Sequence, residues 1–292
     1  MSMPDFEYLE PRSVAEACAM LAEDPEGRVV FAGGTDVLVD LKSGGRAPRA
    51  LVSLGRVAGL DGLEVDTRGD LVIGAMTKIN RVARGEGGAA LFPGIVEAAR
   101  SVAAEQVRNS ATVAGNLCTA VPSADMAPIL LAWDARLRVT SPEGERLLAL
   151  RELFVGPRQT VLGPADIVTA IEVPARAGQT GDASLRQGGR VSLSLPLAGV
   201  AVVLTLDDGR CTGADVALGA VAPTPALAPA AADRLVGSEL DATTVAEAAR
   251  IAAGEARPIS DLRAGAAYRR ELVEVLTQRV VARAAERARG GK

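Results

Sequence analysis

The chain has 292 residues, 48% of them hydrophobic and 23% charged, with a net charge of −4 carried by both signs along its length. That balance predicts a globular protein of two or three packed units. It excludes the basic block of a nucleic-acid binder and the acidic tail of a disordered arm.

There is no histidine. This removes Ser-His-Asp and Cys-His nucleophiles, the common zinc sites and the usual general base near neutral pH. Catalysis in such a chain points to chemistry carried by a cofactor. The longest apolar stretches, such as 129–133, fall well short of the roughly 20 residues that span a bilayer. The N-terminus lacks a basic n-region followed by an apolar h-region, which predicts no signal peptide and a cytoplasmic location. Cys18, Cys118 and Cys211 are far apart and odd in number, so they read as reduced thiols and cannot alone supply an iron–sulfur cluster. Cys118 reads as a small buried apolar residue.

In chain order, Ser13 and Glu16 form a capping box. Val14, Ala17, Cys18 and Leu21 follow at helical spacing, and Pro25-Glu-Gly27 ends the helix. Val29, Val30 and Phe31 read as a short buried strand that breaks into Ala32-Gly33-Gly34-Thr35-Asp36. Adjacent glycines at a strand end permit positive φ and gather N–H groups into one concavity, which suits a phosphate; the Thr35 hydroxyl adds a donor. Taken alone, this is better read as an ordinary Gly-Gly turn. A second turn of the same kind, Thr112-Val113-Ala114-Gly115-Asn116, makes a two-sided grip on one diphosphate the sharper reading. A strand at 50–54 completes a β-α-β-like unit around the first turn.

Residues 71–77 read as a strand, with Thr77 capping a helix over 78–84, and a longer helix is predicted over 94–107. Residues 108–125 are irregular, built of small polar residues and glycine, and too apolar for disorder, so they read as a functional loop. A helical turn at 127–133 follows. Strands at 136–140 and 146–150 flank a Pro-Glu-Gly turn, and another strand runs over 166–173 to Pro174. Residues 175–182 form the candidate linker. Beyond it come strands at 198–206 and 215–221, the first running into an Asp-Asp-Gly hairpin signal, then helices around 226–236, 242–253 and 266–287. Trp133 and Tyr268 read as packing residues. Arg186 and Arg190 face either solvent or an anionic ligand. Neither a Gly-x-Gly-x-x-Gly fingerprint nor a P-loop is present.

Ala-Gly-Gly-Thr-Asp at 32–36 with Val37-Leu38 resembles the first FAD loop of the flavoprotein (medium) subunits of molybdenum hydroxylases, the xanthine dehydrogenase and carbon monoxide dehydrogenase type enzymes. The run from Gln106 to Leu117, with Pro-Ser-Ala-Asp at 122–125, resembles their second FAD loop. The resemblance continues through Phe-Val-Gly-Pro at 154–157, Asp-Ile-Val at 166–168, Ala-Pro-Thr-Pro at 222–225 and the run from Ser260 to Arg269, covering nearly the whole chain in order.

The resemblance implies an α+β fold: a two-subdomain FAD-binding domain of the PCMH/vanillyl-alcohol-oxidase type over 1–174, divided at about 56, then a C-terminal α/β sandwich domain over 183–292. It implies non-covalent FAD, its diphosphate held by Ala32, Gly33, Gly34, Thr35 and Asp36 and by Thr112, Val113, Ala114, Gly115 and Asn116, with Val30, Phe31 and Leu38 flanking. Asp125 would hold a ribose or adenine-side hydroxyl, Ile167 and Val168 would pack near the flavin or adenine, and Arg186 would stand near the isoalloxazine or diphosphate. The implied partners are a large subunit with the molybdenum cofactor and a small subunit with two [2Fe-2S] clusters, in a dimer of heterotrimers. Electrons would pass through FAD to an external acceptor, and no catalytic residue or metal ligand is implied in this chain. A free-standing FAD-dependent oxidoreductase and a flavin-free scaffold remain alternative readings.

Three departures stand out. Ala114 replaces the first glycine of the family's usual pair, at a cost of about 1 kcal/mol if φ must be positive there. Arg186 stands where lysine is common, and Ser194 where many relatives carry aspartate.

Overall fold

The computed structural model describes residues 3–190 and 193–290. The Ser13 hydroxyl accepts the Glu16 N–H at 3.1 Å, while the Glu16 carboxylate accepts the Arg12 N–H at 2.7 Å. This variant of a capping box starts the helix Val14–Glu23, whose Ala17, Cys18 and Leu21 face the core. The fully buried strand Ala50–Ser53 is central in a three-stranded parallel sheet, flanked by Glu7–Leu9 and Arg28–Phe31. Parallel neighbours need a crossover. The segment between Arg28–Phe31 and Ala50–Ser53 supplies it as the helix Val37–Ser43.

The second subdomain is built on a five-stranded antiparallel sheet, ordered Leu63–Val65, Leu71–Gly74, Ile167–Val173, Arg136–Ser141, Gly144–Ala149. Its register slips between Val168 and Ala170, at the end of the strand nearest the first subdomain. Thr77 does not cap the following helix, Ile79–Ala83; its hydroxyl donates to the Gly62 carbonyl at 2.8 Å.

The helix expected over 94–107 is broken. It runs Pro93–Ser101, turns at Val102 and Ala103 (φ 42°), and resumes as Glu105–Arg108. The cause is tertiary: the Ser101 carbonyl accepts from Arg186 and the Val102 carbonyl from Arg108, so two guanidinium groups satisfy acceptors that a continuous helix would pair internally. Within 108–125, read as irregular, lies the short helix Val113–Cys118.

The segment 175–182 is only partly a linker, because the C-terminal sheet begins at Gln179. Its antiparallel strands are Gln179–Gly188, Pro196–Asp207, Arg210–Gly219 and Ala226–Leu227. Pro196–Asp207 is buried on both faces. Val200, Val202 and Leu204 pack beneath the helices Pro229–Leu235, Ala242–Glu255 and Ala266–Ala288, whereas Ala201 and Val203 join the core of the antiparallel subdomain. Trp133 is a packing residue, edge-on to Phe92 with its Nε1–H donating to buried Asp182 at 2.9 Å. Tyr268 is not; it is 49% exposed on the outer face of the last helix. Among the described residues no helix is long and apolar enough to cross a membrane.

Glu97 locks the C-terminal domain onto the first. Its carboxylate accepts from Arg283 at 2.9 Å, from Arg287 at 2.6 Å and from the Ser184 N–H at 3.0 Å. Burial pushes its pKa up, but the hydrogen bonds from Arg287 and Ser184 and the two positive charges outweigh that and hold it below the usual value. A depressed carboxylate contributes stability above its unfolded pKa of about 4.3, and that contribution is lost as pH falls through the folded value. Glu97→Gln should therefore lower the urea stability by about 2 kcal/mol at pH 7, since it leaves two arginines without their counter-charge. The difference from wild type should shrink on acidification; urea titrations at neutral and acid pH measure it.

Candidate functional site

A cavity of about 700 Å³ opens between the two subdomains, walled also by the loop that precedes Pro196. Its volume lies in the upper half of the range for small-molecule sites, about 300–1,000 Å³.

One wall is the turn at 32–36, between the strand Arg28–Phe31 and the helix Val37–Ser43. Gly34 has φ +72°, and a Cβ there would meet the Phe31 ring at 2.6 Å. Gly33 is required for a different reason: a Cβ would stand 2.3 Å from the Ser110 carbonyl oxygen, across the cleft. Among the described residues the backbone N–H groups of Gly34, Thr35 and Asp36 donate to no protein acceptor. Asp36, an exposed residue, has its carboxyl pushed up by partial desolvation, with Arg158 pulling it down and Asp40 pushing it up.

The facing wall is the start of the helix Val113–Cys118. Thr112 caps it, its hydroxyl accepting the Gly115 N–H at 3.0 Å. This is not a second turn of the same kind. Neither Ala114 nor Gly115 has positive φ, and Ala114 lies in helical backbone. The replacement of glycine by Ala114 thus carries no conformational penalty. Asn116 accepts the Met126 N–H at 3.2 Å, which ties this helix to the Pro-Ser-Ala-Asp segment.

Asp125 stands at one end of the cavity, 3.4 Å from Arg186. Its Oδ1 is buried with no hydrogen-bond partner among the described residues. Burial pushes the carboxyl up to about 7, against the pull of Arg186. Ile167 and Val168 give an apolar wall next to the slip in strand register.

Of the residues expected at the site, Val30, Ala32 to Asp36, Thr112, Ala114 to Asn116, Asp125, Ile167 and Val168 line this one cavity. Four do not. Phe31 packs edge-on to Tyr8 and beneath Gly34, and Leu38 lies outside the lining. Val113 is buried in the core, and Arg186 stands behind Asp125. Several lining residues escape sequence reasoning. Val102 and Ala103 reach the cavity only because the helix breaks there. Arg158, at φ 60° between the short strands Phe154–Gly156 and Gln159–Thr160, closes one side by pairing with Asp40 at 3.0 Å. The Gly163-Pro164 turn was the available signal for that side. Leu193, Ser194 and Leu195 complete the lining. Cys118 is not the buried apolar residue expected: it is exposed to the cavity, yet deep enough in the protein mass that desolvation pushes its thiol up to about 12.

Two substitutions separate close approach from backbone conformation as the reason for small residues here. Gly33→Ala should force the two walls apart and cost about 2 kcal/mol or more. Ala114→Gly should relieve nothing and cost up to about 1 kcal/mol, as glycine does inside a helix. Urea titration of both variants beside wild type checks the contrast.

Comparison with known proteins matches residues 4–176 to the family described as the FAD binding domain in molybdopterin dehydrogenase, and residues 183–284 to the CO dehydrogenase flavoprotein C-terminal domain. The carbon monoxide dehydrogenase medium chain of Afipia carboxidovorans is 33% identical over 97% of this chain and 98% of its own. The xanthine dehydrogenase FAD-binding subunit of Escherichia coli O157:H7 is 30% identical over 99% of each. Among solved structures, a chain of quinoline 2-oxidoreductase from Pseudomonas putida 86 superposes with a TM-score of 0.92 at 31% identity, covering 99% of each chain. Nearly the whole chain matches in order, and it belongs to the FAD-binding medium-subunit family of the molybdenum hydroxylases.

Proposed function

We propose that this chain is the electron-relay subunit of a cytoplasmic molybdenum hydroxylase, holding FAD in the cavity between its subdomains. On this reading electrons arrive from [2Fe-2S] clusters of a small subunit, supplied by molybdenum in a large one, and leave to an external acceptor. The assembly would be a dimer of such heterotrimers. The FAD-binding domain would span 1–174 and the C-terminal domain 183–292. One observation carries the reading: two helix starts, with unpaired N–H groups at Gly34, Thr35 and Asp36, face each other across a cavity that ends at a carboxylate lacking a hydrogen bond.

These groups fit FAD. An anionic diphosphate is favoured where helix N-termini converge, and the turn at 32–36 and the start of Val113–Cys118 would receive it. Asp125 would accept from a hydroxyl or N–H of the cofactor, and Ile167 and Val168 would pack against a ring face. Phe31, Leu38 and Val113 would act from behind by fixing the two walls. When bound, the flavin supplies one- and two-electron redox chemistry, and the protein's share is binding, orientation and exclusion of water. A chain without histidine is adequate to that share.

Mass analysis of the cofactor released from purified protein should give FAD; FMN alone would contradict the two-walled diphosphate site. Gly34→Val should abolish flavin binding, because the side chain would drive into the Phe31 ring at a backbone conformation β-branched residues avoid. The C-terminal domain should stay folded, and stoichiometric FAD in this variant would show that the turn does not hold the cofactor. For the relay, the isolated chain mixed anaerobically with the organic substrate of its complex should keep its flavin absorbance. Adding the cluster-bearing and molybdenum-bearing subunits should bleach it. Bleaching of the lone chain at the rate of the whole complex would favour a free-standing flavoenzyme.

A further inference from the structure

Arg186 belongs to the C-terminal strand Gln179–Gly188, yet of its three partners Ser194 and Asp125 line the cofactor cavity and Ser101 directly precedes Val102, which does. It donates to the Ser194 carbonyl at 2.7 Å and to the Ser101 carbonyl, and stands 3.4 Å from Asp125. Ser101 is the last helical residue before the break at Val102 and Ala103, which line the cavity, as do Ser194 and Asp125. The Arg186 side chain is only 13% exposed and does not line the cavity itself. A small pocket behind Asp125 is shared with Arg186, and among the described residues no other charged group lines it.

We propose that Arg186 is a positioning residue through which the C-terminal domain fixes Asp125, Ser101 and Ser194 and sets the charge state in which Asp125 meets the cofactor. The proposal rests on FAD occupying the cavity. It differs from a direct contact between Arg186 and the flavin, because each of its hydrogen bonds is made to protein carbonyls.

The physical argument runs through Asp125. Among the described residues its Oδ1 is buried without a hydrogen bond, and Arg186 is the one cation beside it. Burial pushes the carboxyl up to about 7 even with Arg186 present. An ionised carboxylate is the stronger acceptor for a cofactor hydroxyl or N–H, so binding favours the deprotonated form. By linkage, affinity is full above the pKa of the free protein and falls below it, by up to about tenfold per pH unit. Removing Arg186 takes away the one influence that opposes burial, so the bend in affinity must move to higher pH. Among the described residues, arginines apart, four other titratable groups line the cavity, Cys118, Asp36, Asp40 and Asp166. Burial pushes Asp166 up, but hydrogen bonds from Arg146 and the Gly163 N–H outweigh it and hold the carboxyl below its usual value. Cys118 stays protonated, its thiol being pushed up to about 12. Asp36 is raised by partial desolvation and faces Arg158 and Asp40.

The test is the dissociation constant of FAD, read from flavin fluorescence on titration into flavin-free full-length chain from about pH 5 to about pH 9. Wild type should show constant affinity above about pH 7 and a decline below it. Arg186→Gln should move that bend to higher pH by about one unit or more, and Arg186→Lys should move it back. Asp125→Asn should abolish the bend, and adding Arg186→Gln to it should then shift nothing; this separates Asp125 from Asp36. An Arg186→Gln protein weakened by the same factor at every pH would overturn the proposal, and so would a bend that survives Asp125→Asn. If Arg186→Gln does not fold, Arg186→Met takes its place, and a bend left at the wild-type pH in that variant would overturn the proposal. Wild-type chain that binds no FAD at any pH would overturn both the proposal and the reading beneath it.

Discussion

The approach of the Ser110 carbonyl to the backbone of Gly33 is the contact on which the site depends. Gly33 belongs to the parallel-sheet subdomain and Ser110 to the antiparallel one, and a Cβ on Gly33 would lie 2.3 Å from that oxygen. The two subdomains touch at backbone level there and diverge on either side, which leaves the cavity between them. A single methyl group at this point would act as a wedge. The neighbouring Gly34 serves a different constraint, the left-handed turn that carries the chain from strand to helix over the Phe31 ring. Two adjacent glycines that look interchangeable in sequence thus answer to two different forces.

The strand-to-glycine turn and the strands at 50–54, 71–77, 136–140, 146–150 and 166–173 were legible because each has a local cause, whereas the crossover helix Val37–Ser43 and the edge strands Glu7–Leu9 and Leu63–Val65 were not read. A half-buried apolar run before Gly-Gly and alternating strands ending in turns are written within a few residues of one another. The break at Val102 and Ala103 was not legible, because its cause is distant: Arg186 lies 85 residues away in sequence and takes the Ser101 carbonyl from the helix. Helical periodicity at Ile95, Ala98, Ala99 and Val102 continues through the break, so the pattern alone predicts one rod. The helix Val113–Cys118 was hidden for the opposite reason. Its residues have weak helix propensity and include a glycine, and only the Thr112 cap marked its start.

The two departures at the site, Ala114 and Arg186, also divide along this line. Ala114 looked costly because a glycine pair was read as a left-handed turn, whereas in a capped helix the alanine is the better residue. Arg186 looked like a cofactor contact because it follows the family's cation. A fork-shaped guanidinium, unlike an ammonium, can join two carbonyls and approach a carboxylate in one plane, and its three partners here lie on three separate segments.

The charges around the cavity explain how a chain of net negative charge holds a dianionic diphosphate. Each cation that lines it has an acidic partner: Arg28 pairs with Glu23 at 2.7 Å, Arg158 with Asp40 at 3.0 Å, and Arg46 shares that Asp40 at 3.8 Å. Arg186 is turned away into the protein. On the proposed placement of the cofactor, attraction for its diphosphate would come mainly from oriented dipoles, the N–H groups of Gly34, Thr35 and Asp36, which have no acceptor among the described residues, and the start of Val113–Cys118. Dipoles of this kind are fixed by the backbone, lose no side-chain entropy on binding, and are effective only at contact distance. Such dipoles would hold one phosphate geometry firmly and attract other polyanions weakly. The positions that matter most are therefore those that set backbone path, Gly33, Gly34 and Thr112, and not those that carry formal charge.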